Sequence, residues 1–426
     1  MIIQNFAQLA STALRRQALE IVEAGFMAIN TQQAVKKNFV YNPKTQQLKI
    51  FSQQFNLAEY KRIICVGFGK AALEAVTAIQ VILKEKISCG YVLDLSEGSL
   101  GNIICRVGTH PLPSKVNVEA TKELIAMLEV CTEEDLVICV VSGGGSALLC
   151  NPHDLSCEAE VEIISALTVK GANIVELNTV RKHLSQVKGG HLAKIIYPAT
   201  CISLIFSDVP GNSLEAVASG PTVKDTTTNS DASEILTKYN ILEMCQMPSC
   251  KLLETPKEDT YFKKVHNILF VSSEQALRAM KEKAEELAFQ VKIYNTQFQG
   301  EAKFLGLDIL NSSKKGYCLL GAGESTVKVY GKGVGGRNQE MALSALKQVK
   351  NNQVLVCVAS DGRDNSDSAG AIVDGGLRDR ANNLGLNFEQ YLENNDSYHF
   401  FEKTGDILLT GKTGSNISDF FVLLEK

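Results

Sequence analysis

Residues 63–72 read IICVGFGKAA and join an unbroken apolar run to a glycine turn and the start of a helical pattern. An apolar run without alternation indicates a strand that is covered on both faces, as in a mostly parallel sheet flanked by helices. The same succession recurs where residues 136–141 (LVICVV) precede SGGGS and where residues 201–206 (CISLIF) precede SDVPGN. The sequence therefore predicts an α/β fold of repeated βα units, and ligands are expected at the carboxyl ends of these strands.

A second series of strand and helix patterns occupies the C-terminal part of the chain. It includes apolar runs at residues 318–321 before ESTVKVYG and at residues 354–359 before SDGRDN. Between the two series, residues 247–259 (MPSCKLLETPKED) are polar and hold two of the nine prolines of the chain. Such composition is typical of a connection, so the pattern predicts a domain boundary there.

The composition is that of an ordinary globular chain of 426 residues, of which 45% are hydrophobic and 21% are charged. The net charge of -4 argues against a nucleic-acid binder, and no run reaches the ~18 apolar residues that a membrane span needs. Twelve scattered cysteines without a CxxC pair favour a reducing compartment, and no Cys/His spacing resembles a zinc site.

The N-terminal segment bears on where the protein resides. Residues 1–19 contain Arg15 and Arg16 but no acid, which resembles a mitochondrial presequence. However, apolar residues recur at helical spacing from Leu9 to Phe26, which favours an amphipathic helix of the mature protein. We therefore expect a cytoplasmic protein, with a mitochondrial location left open.

Residues 321–340, GAGESTVKVYGKGVGGRNQE, combine glycines, lysines, an arginine and acids in one segment. Glycines let the backbone approach a ligand closely, and the planar guanidinium of Arg337 matches the oxygens of phosphate or carboxylate. This segment is therefore predicted to hold an anion.

The turn at residues 67–70 (GFGK) ends a strand and opens a helix, where free N–H groups and the helix dipole attract an anion. Its two glycines and Ala72 also satisfy a relaxed dinucleotide fingerprint. No acid stands about 20 residues downstream to bind a ribose hydroxyl, since Asp94 comes later, so a phosphate-directed Lys70 fits better than NAD. A tight turn with a solvated lysine is the alternative.

Residues 142–146 (SGGGS) follow the next buried strand and place successive N–H groups around a small anion, as an anion-binding nest does. Three consecutive glycines are costly in conformational entropy, which disfavours a purely structural loop. Downstream, Arg181 and Lys188 lie on neighbouring turns of a helical pattern and could both face a cleft. A solvated basic helix face is the alternative for these two cations.

Asp208 and Asp361 each follow a buried strand closely, where a carboxylate can hold Mg²⁺ through water or orient a hydroxyl. Helix caps and Asx turns favour the same positions and are the alternative. Together with Glu324, these acids complete the set of carboxylate, lysine and arginine that phosphoryl transfer requires.

Seven longer motifs follow one another along the chain: GFGKAA, SGGGSALL, NTVRKHLSQVKGGHLA, SDVPGNSLEAVASGPT, GKGVGGRNQEMAL, ASDGRDNSDSAGAIVDG and TGKTGSNISD. In this order they resemble the class II glycerate kinase family, whose C-terminal domain is of the MOFRL type. The resemblance runs from the N-terminal helix to the last strand and so covers nearly the whole chain.

The resemblance implies a Rossmann-like domain with a mostly parallel sheet over residues 1–250 and a smaller α/β domain over residues 260–426. It places the active site in the cleft between them. It also implies an enzyme that transfers the γ-phosphoryl group of ATP, with Mg²⁺, to a hydroxyl of D-glycerate. The expected partner is this small substrate, with neither nucleic acid nor membrane, and the expected assembly is a monomer or a homodimer.

Matched by motif, Lys70 and Arg337 are the expected catalytic cations. Asp208 is expected to orient the attacking hydroxyl, and Asp361 and Asp208 are the expected metal ligands. The residues expected to bind substrate or nucleotide are Gly67, Gly69, Ser142, Gly143, Gly144, Gly145, Ser146, Arg181, Lys188, Glu324 and Asn338.

Two other functions stay open. One is a nicotinamide-dependent oxidoreductase that acts on hydroxypyruvate or a similar acid, which rests on Gly67, Gly69 and Ala72. The other is a non-catalytic sensor of a small hydroxy acid. A sensor has no need of Lys70 and Arg337 together, and the oxidoreductase lacks its downstream acid, so the kinase is favoured.

Overall fold

The structure is a computed structural model, and it describes residues 1–209, 211, 213–247, 250–415 and 417–426. The chain forms two compact units. The central unit is Ala34–Phe270, and the terminal unit combines Met1–Gln33 with Val271–Lys426. In the described ranges, no helix is long and apolar enough to cross a membrane. Residues 248 and 249 of the predicted boundary segment lie outside the described residues.

The first part of the chain contains three helices followed by a small antiparallel sheet. The helices are α1 (Phe6–Leu9), α2 (Ala13–Ile29) and α3 (Thr31–Asn38). The sheet, in the order β1-β2-β3, consists of β1 (Phe39–Asn42), β2 (Gln47–Ile50) and β3 (Gln53–Asn56).

The main sheet of the central unit has six strands in the order β6-β5-β4-β7-β8-β9. They are β4 (Arg62–Phe68), β5 (Ile87–Asp94), β6 (Ile103–Val107), β7 (Asp135–Ser142), β8 (Thr200–Phe206) and β9 (Val265–Val271). The pairs β4–β5, β5–β6, β4–β7 and β7–β8 are parallel. Counted from β4, this is the strand order 3-2-1-4-5-6 of dinucleotide-binding folds, in which ligands bind where the order reverses, between β4 and β7.

Helices and short 3₁₀ turns connect these strands. The helices are α4 (Ala72–Leu83), α5 (Lys115–Leu128), α6 (Gly145–Leu148), α7 (Cys157–Val169), α8 (Ile174–His183), α9 (His191–Ile196), α10 (Asn229–Lys238) and α11 (Ile241–Met244). The 3₁₀ turns are Leu57–Glu59, Lys84–Lys86, Val217–Ser219 and Asp259–Tyr261. Every residue of β7 and β8 is buried, so the unbroken apolar runs correctly predicted strands covered on both faces.

The sheet of the terminal unit also has six strands, in the order β10-β11-β15-β12-β13-β14. Its elements are α12 (Ser273–Glu286), β10 (Gln290–Phe298), α13 (Ala302–Asn311), β11 (Tyr317–Gly323), α14 (Arg337–Ala345), β12 (Gln353–Ala359), β13 (Gly370–Asp374), α15 (Gly375–Asn383), α16 (Phe388–Glu393), α17 (Ser397–Thr404), β14 (Ile407–Leu408) and β15 (Asp419–Glu425). Strands β10 and β11 are parallel, whereas β15 is antiparallel to both of its neighbours, β11 and β12. The predicted α/β class, with a Rossmann-like sheet and a second α/β unit, is confirmed.

The predicted amphipathic N-terminal helix is α2, and it belongs to the terminal unit. It packs tightly on α12, since a Cβ atom placed on Gly25 would lie 2.8 Å from Met280 Cγ. The rings of Phe26 and Phe420 are 5.0 Å apart. This division differs from the predicted ranges 1–250 and 260–426, because the apolar face of α2 is buried by residues that follow it by some 250 positions or more.

Candidate active site

The predicted residues of the central unit lie at the carboxyl edge of its sheet. Phe68, the last residue of β4, pairs with Val141, and Ser142, the last residue of β7, pairs with Phe206. The turn at 67–70, the loop at 142–146 and Asp208 therefore follow neighbouring strands at one edge. We call residues 142–146 the glycine loop.

The turn after β4 is joined directly to the glycine loop. The backbone N–H of Lys70 donates to Gly143 O at 2.9 Å, and that of Ala71 donates to Ser142 Oγ at 3.1 Å. Gly69 has φ +114°, and a Cβ atom placed on it would lie 2.2 Å from Ser142 Oγ. Only glycine fits this position, because both the backbone conformation and the space exclude a side chain.

Three polar side chains gather at the glycine loop. A Cβ atom placed on Gly143 would lie 2.1 Å from Asp208 Oδ2, and one placed on Gly144 would lie 3.1 Å from Lys70 Cε and 3.2 Å from His110 Cδ2. The side chain of Lys70 is exposed. Gly143 and Gly144 therefore leave room for a carboxylate, a lysine and an imidazole at one place.

Sequence reasoning missed His110, which stands outside the seven motifs. Burial, assisted by the nearby charge of Lys70, lowers the pKa of His110. The imidazole beside Lys70 is therefore neutral near pH 7. A histidine directly before a proline in the loop after β6 was a weak signal at best, because only the fold brings it to the glycine loop.

The other predicted glycines and serines have packing or hydrogen-bonding roles. Gly67 lets α4 approach β4, since its Cβ atom would lie 3.0 Å from Val76 Cγ2. Gly145 packs in the same way against Ala218, at 2.7 Å. The hydroxyl of Ser146 is hydrogen-bonded to that of Ser219 at 3.2 Å.

The two predicted cations do not lie on neighbouring turns of one helix: Arg181 is on α8, which ends at His183, and Lys188 lies in the turn before α9. Arg181 is half-buried and lines a cavity of about 210 Å³ together with His110, Ser146 and Glu160. Lys188 is only 1% exposed, and its ammonium donates to Glu160 Oε1 at 2.9 Å. The expectation that both cations face a cleft therefore does not match the geometry of Lys188, whose charge is already paired inside the unit.

The predicted residues of the terminal unit also meet at one edge of a sheet. Gly323 at the end of β11 and Ala359 at the end of β12 both pair with Asp419, the first residue of the antiparallel strand β15. Glu324 and Asp361 follow these strand ends and so lie near Asp419.

Arg337, the first residue of α14, forms a two-pronged ion pair with Asp419. Its Nε lies 2.5 Å from Asp419 Oδ2 and its Nη2 lies 3.1 Å from Oδ1. The same Nη2 is 3.4 Å from Glu324 Oε1. Such a pair fixes the plane of the guanidinium, and the side chain of Arg337 remains 35% exposed.

A second buried carboxylate, Asp364, holds the start of α14. It accepts hydrogen bonds from the backbone N–H groups of Asn338 at 3.0 Å and Gln339 at 2.7 Å, and from Asn338 Nδ2 at 3.1 Å. A negative charge is favourable at a helix N-terminus, so this contact anchors the helix that carries Arg337. Asn338, predicted to bind ligand, is fully buried, and its Oδ1 has no hydrogen-bond partner among the described residues.

Arg337, Asp361, Asp364 and Asp419 line a cavity of about 630 Å³ in the terminal unit. Oδ1 of Asp361 accepts the backbone N–H of Arg363 at 2.9 Å, which is the Asx-turn contact that was the alternative for this position. In the part of the chain that the structure describes, no group of three or more His, Cys, Asp or Glu side chains is arranged to hold a metal ion. The metal roles of Asp361 and Asp208 therefore remain predictions.

Comparison with known proteins finds two family models along the chain. Residues 17–254 match a family model described as a domain of unknown function, DUF4147, and residues 317–419 match the MOFRL family. A protein of Thermotoga maritima named D-glycerate 2-kinase is 36% identical, over 96% of this chain and 98% of that protein.

The chain belongs to the class II glycerate kinase family.

Two further relatives bear on the fold and on function. The crystal structure of glycerate kinase from Thermotoga maritima has a TM-score of 0.85 and 34% identity, over 96% of this chain and 99% of that one. A protein of Agrobacterium vitis named putative hydroxypyruvate reductase is 33% identical, over 85% of this chain and 87% of its own length. The glycerate kinase fold is thus shown, whereas a relative named for another reaction keeps the second function open.

In this member of the glycerate kinase family, three carboxyl groups of the terminal unit have raised pKa values. Burial raises the pKa of Asp419 to about 7, although Arg337 opposes the shift. Burial also raises the pKa of Asp364 and of Glu340, which lines the same cavity. Burial alone would lower the pKa of Arg337, but the charge and hydrogen bonds of Asp419, together with the charges of Glu324 and Asp364, outweigh burial, and the net shift is upward.

The raised pKa of Asp419 predicts a pH-dependent stability. Because this carboxyl binds a proton more readily in the folded chain than in the unfolded chain, its contribution to stability is full below about pH 4 and is lost as the pH rises through about 7. The slope from one proton is at most about 1.4 kcal/mol per pH unit. Asp419→Asn should therefore flatten the pH dependence of the unfolding midpoint between about pH 5 and pH 7, whereas Asp367→Asn, at a 91% exposed side chain, should not. Parallel curves for wild type and Asp419→Asn would contradict the prediction.

Proposed function

We propose that this chain transfers the γ-phosphoryl group of ATP to the 2-hydroxyl of D-glycerate, giving ADP and 2-phosphoglycerate. The observation that carries the proposal is the gathering of Lys70 and Asp208 at the glycine loop, on the carboxyl edge of a Rossmann-like sheet. The choice of D-glycerate and of its 2-hydroxyl is supported by the relative named D-glycerate 2-kinase.

In the proposed reaction, the hydroxyl oxygen of glycerate forms a bond to the γ-phosphorus. The bond from this phosphorus to the bridging oxygen breaks, and ADP leaves with that oxygen. Negative charge spreads over the phosphoryl oxygens in the transition state, so cations that are fixed before the reaction lower the barrier. We assign this role to Lys70 and Arg337, the first exposed at the glycine loop and the second held by Asp419.

We assign to Asp208 the role of accepting the proton of the attacking hydroxyl. Its carboxylate lies against Gly143, on the same loop that is in contact with Lys70. A carboxylate within hydrogen-bond reach orients the hydroxyl and accepts its proton as the oxygen bonds to phosphorus.

A magnesium ion fits this donor set only as a companion of the nucleotide. Mg²⁺ is usually held by one or two carboxylates together with substrate phosphates, and the described residues contain no larger cluster of acids, histidines or cysteines suited to a metal. Asp361 or Asp208 would supply the protein carboxylate, and the ion would offset phosphate charge.

The second candidate function is the reduction of hydroxypyruvate, which the Agrobacterium vitis relative and the strand order favour. In NAD-binding sheets of this order, an acid beyond the second strand binds the ribose. Here Asp94 ends β5, the second strand, but it is 3% exposed. Its Oδ2 accepts the N–H of Leu73 at 2.9 Å and its Oδ1 that of Leu95 at 2.6 Å. Both carboxylate oxygens of Asp94 therefore already accept backbone hydrogen bonds and are not available to a ribose hydroxyl, which supports the kinase over the reductase.

The test is an assay of the purified chain with D-glycerate, ATP and Mg²⁺. We expect ADP formation that depends on glycerate, and a product whose phosphorus signal is split into a doublet by the single hydrogen at carbon 2. A triplet would identify 3-phosphoglycerate and show that the 2-hydroxyl is not the group that is phosphorylated. Oxidation of NADH with hydroxypyruvate would support the reductase, and binding of glycerate without turnover would support a sensor.

A further inference from the structure

We propose that the 210 Å³ cavity of the central unit is the carboxylate subsite for a short 2-hydroxy acid, with Arg181 as its charged ligand. This inference rests on the proposed function and specifies which part of the molecule selects the acid substrate. It makes Arg181 a binding residue that recognises the carboxylate, separate from the cations assigned to the phosphoryl group.

Arg181 differs from every other arginine that is removed from solvent. Within the described part of the chain, it alone among these arginines has neither a carboxylate within 4.0 Å nor a hydrogen bond from its guanidinium. The others pair with carboxylates or, for the last of them, with backbone carbonyls: Arg15, Arg62, Arg337 and Arg378. Burial accordingly lowers the pKa of Arg181. A half-buried cation without a partner is unfavourable, and a bound anion would compensate it.

The remaining charges near the cavity do not cancel that of Arg181. Glu160 lines the cavity, but its Oε1 receives the buried ammonium of Lys188 at 2.9 Å. The methylene chain of Lys70 lies against Gly144, another lining residue, and so brings a second cation into the neighbourhood of the cavity. With Asp208 against the neighbouring Gly143 included, three cations stand against two carboxylates, so the surroundings are net positive, which favours a carboxylate ligand.

The hydroxyl chain behind the cavity suits a hydroxy acid in particular. Ser219 Oγ donates to Asn178 Oδ1 at 3.0 Å, so the proton between Ser146 and Ser219 belongs to Ser146. The oxygen of Ser146 then has lone pairs available and can accept a hydrogen bond from a ligand hydroxyl. The cavity thus combines a donor for a carboxylate with an acceptor for a hydroxyl.

Size and charge favour the smaller, central cavity over the larger, terminal one as the site of the acid. At about 210 Å³, the central cavity lies below the range of roughly 300–1,000 Å³ that suits larger ligands, whereas the terminal cavity of about 630 Å³ lies within it. The terminal cavity is lined by four acids, Asp361, Asp364, Asp419 and Glu340, against two arginines, Arg337 and Arg363, so acids outnumber cations around it and a bare carboxylate is less favourable there. A three-carbon acid is therefore favoured in the central unit.

The test is Arg181→Gln, which keeps a polar side chain and removes the charge. We expect the KM for D-glycerate to rise about 10- to 100-fold, the range for a lost charge-assisted hydrogen bond, with the KM for ATP changed less than about threefold. Arg181→Lys should show an intermediate effect, because it retains the charge without the planar fork. Arg278→Gln, at an exposed arginine of α12, is the matched control and should leave both KM values unchanged.

Calorimetric titration with D-glycerate in the absence of nucleotide separates this inference from the proposed function. If wild type binds D-glycerate and Arg181→Gln binds it at least tenfold more weakly, the subsite is supported even if no ADP forms. Equal binding by both proteins, or a rise confined to the KM for ATP, would overturn it. Thermal unfolding of each variant, with Arg181→Lys as the second charged form, shows whether a loss of binding reflects a loss of folding.

Discussion

Replacing Lys70 with alanine is expected to lower kcat for glycerate phosphorylation by about 10³-fold, which is typical of removing a transition-state charge contact. The fold should persist, because the side chain is exposed and the contact from Lys70 to Gly143 is made by its backbone N–H. Lys122→Ala, at an exposed lysine of α5, is the matched control and should retain wild-type kcat.

In the same variant, the pKa of His110 reports whether the charge of Lys70 lies beside this imidazole. Since the charge of Lys70 helps to lower the pKa of His110, its removal should raise that pKa, because protonation of the imidazole is then less opposed. An NMR titration of His110 would register this rise. A kcat within threefold of wild type, accompanied by the shifted His110 titration, would remove Lys70 from its proposed role.

Replacing Arg337 with alanine should also lower kcat by about 10³-fold or more, and it should destabilise the terminal unit. Removing the arginine leaves Asp419 buried beside Asp364 without its partner. The expected loss of stability is about 2 kcal/mol, less than for a fully buried pair because 35% of the Arg337 side chain is exposed.

A double variant separates these two effects. Arg337→Ala combined with Asp419→Asn replaces the buried acid that has lost its partner by a neutral amide, so it should recover most of the lost stability while staying inactive. Arg337→Lys retains a charge but cannot form the two-pronged contact and should fall between wild type and alanine. Recovery of turnover in the double variant would show that Arg337 acts only through folding.

The central-unit residues could largely be predicted from sequence because their geometry follows from one rule. In a parallel sheet, every strand delivers the residues after it to the same edge, so Lys70, the glycine loop and Asp208 had to be close once the strands were recognised. His110 escaped this rule, because it comes from a loop whose path depends on packing.

The terminal-unit residues were harder to predict because its sheet is mixed. Asp419 starts a strand, and an antiparallel neighbour brings that start to the ends of β11 and β12. A search confined to strand ends selects Asp361 and passes over Asp419. Asp364 follows Asp361 by three positions, but its carboxylate turns to the N-terminus of α14, which local pattern does not reveal.

Arg181 and Lys188 show the limits of helical spacing. The predicted helical stretch is broken, because α8 ends at His183 and Lys188 lies in the turn before α9. Periodicity also says nothing about the residue opposite each cation. Glu160, on α7, pairs with Lys188 and leaves Arg181 at the cavity. The sequence pattern does not show which acid on another helix lies opposite each cation, and this information was needed to tell the two apart.

Because the terminal unit is discontinuous in sequence, its helix α2 leaves the ribosome long before the surface on which it packs exists. Translation of the inserted residues 34–270 takes roughly 10–50 s at ~5–20 residues per second. During that interval Leu19, Val22 and Phe26 of α2 have no native surface to bury them. The apolar face of α2 must therefore stay exposed on the nascent chain until α12 and β15 have been synthesised. During this time it is a natural target for chaperones.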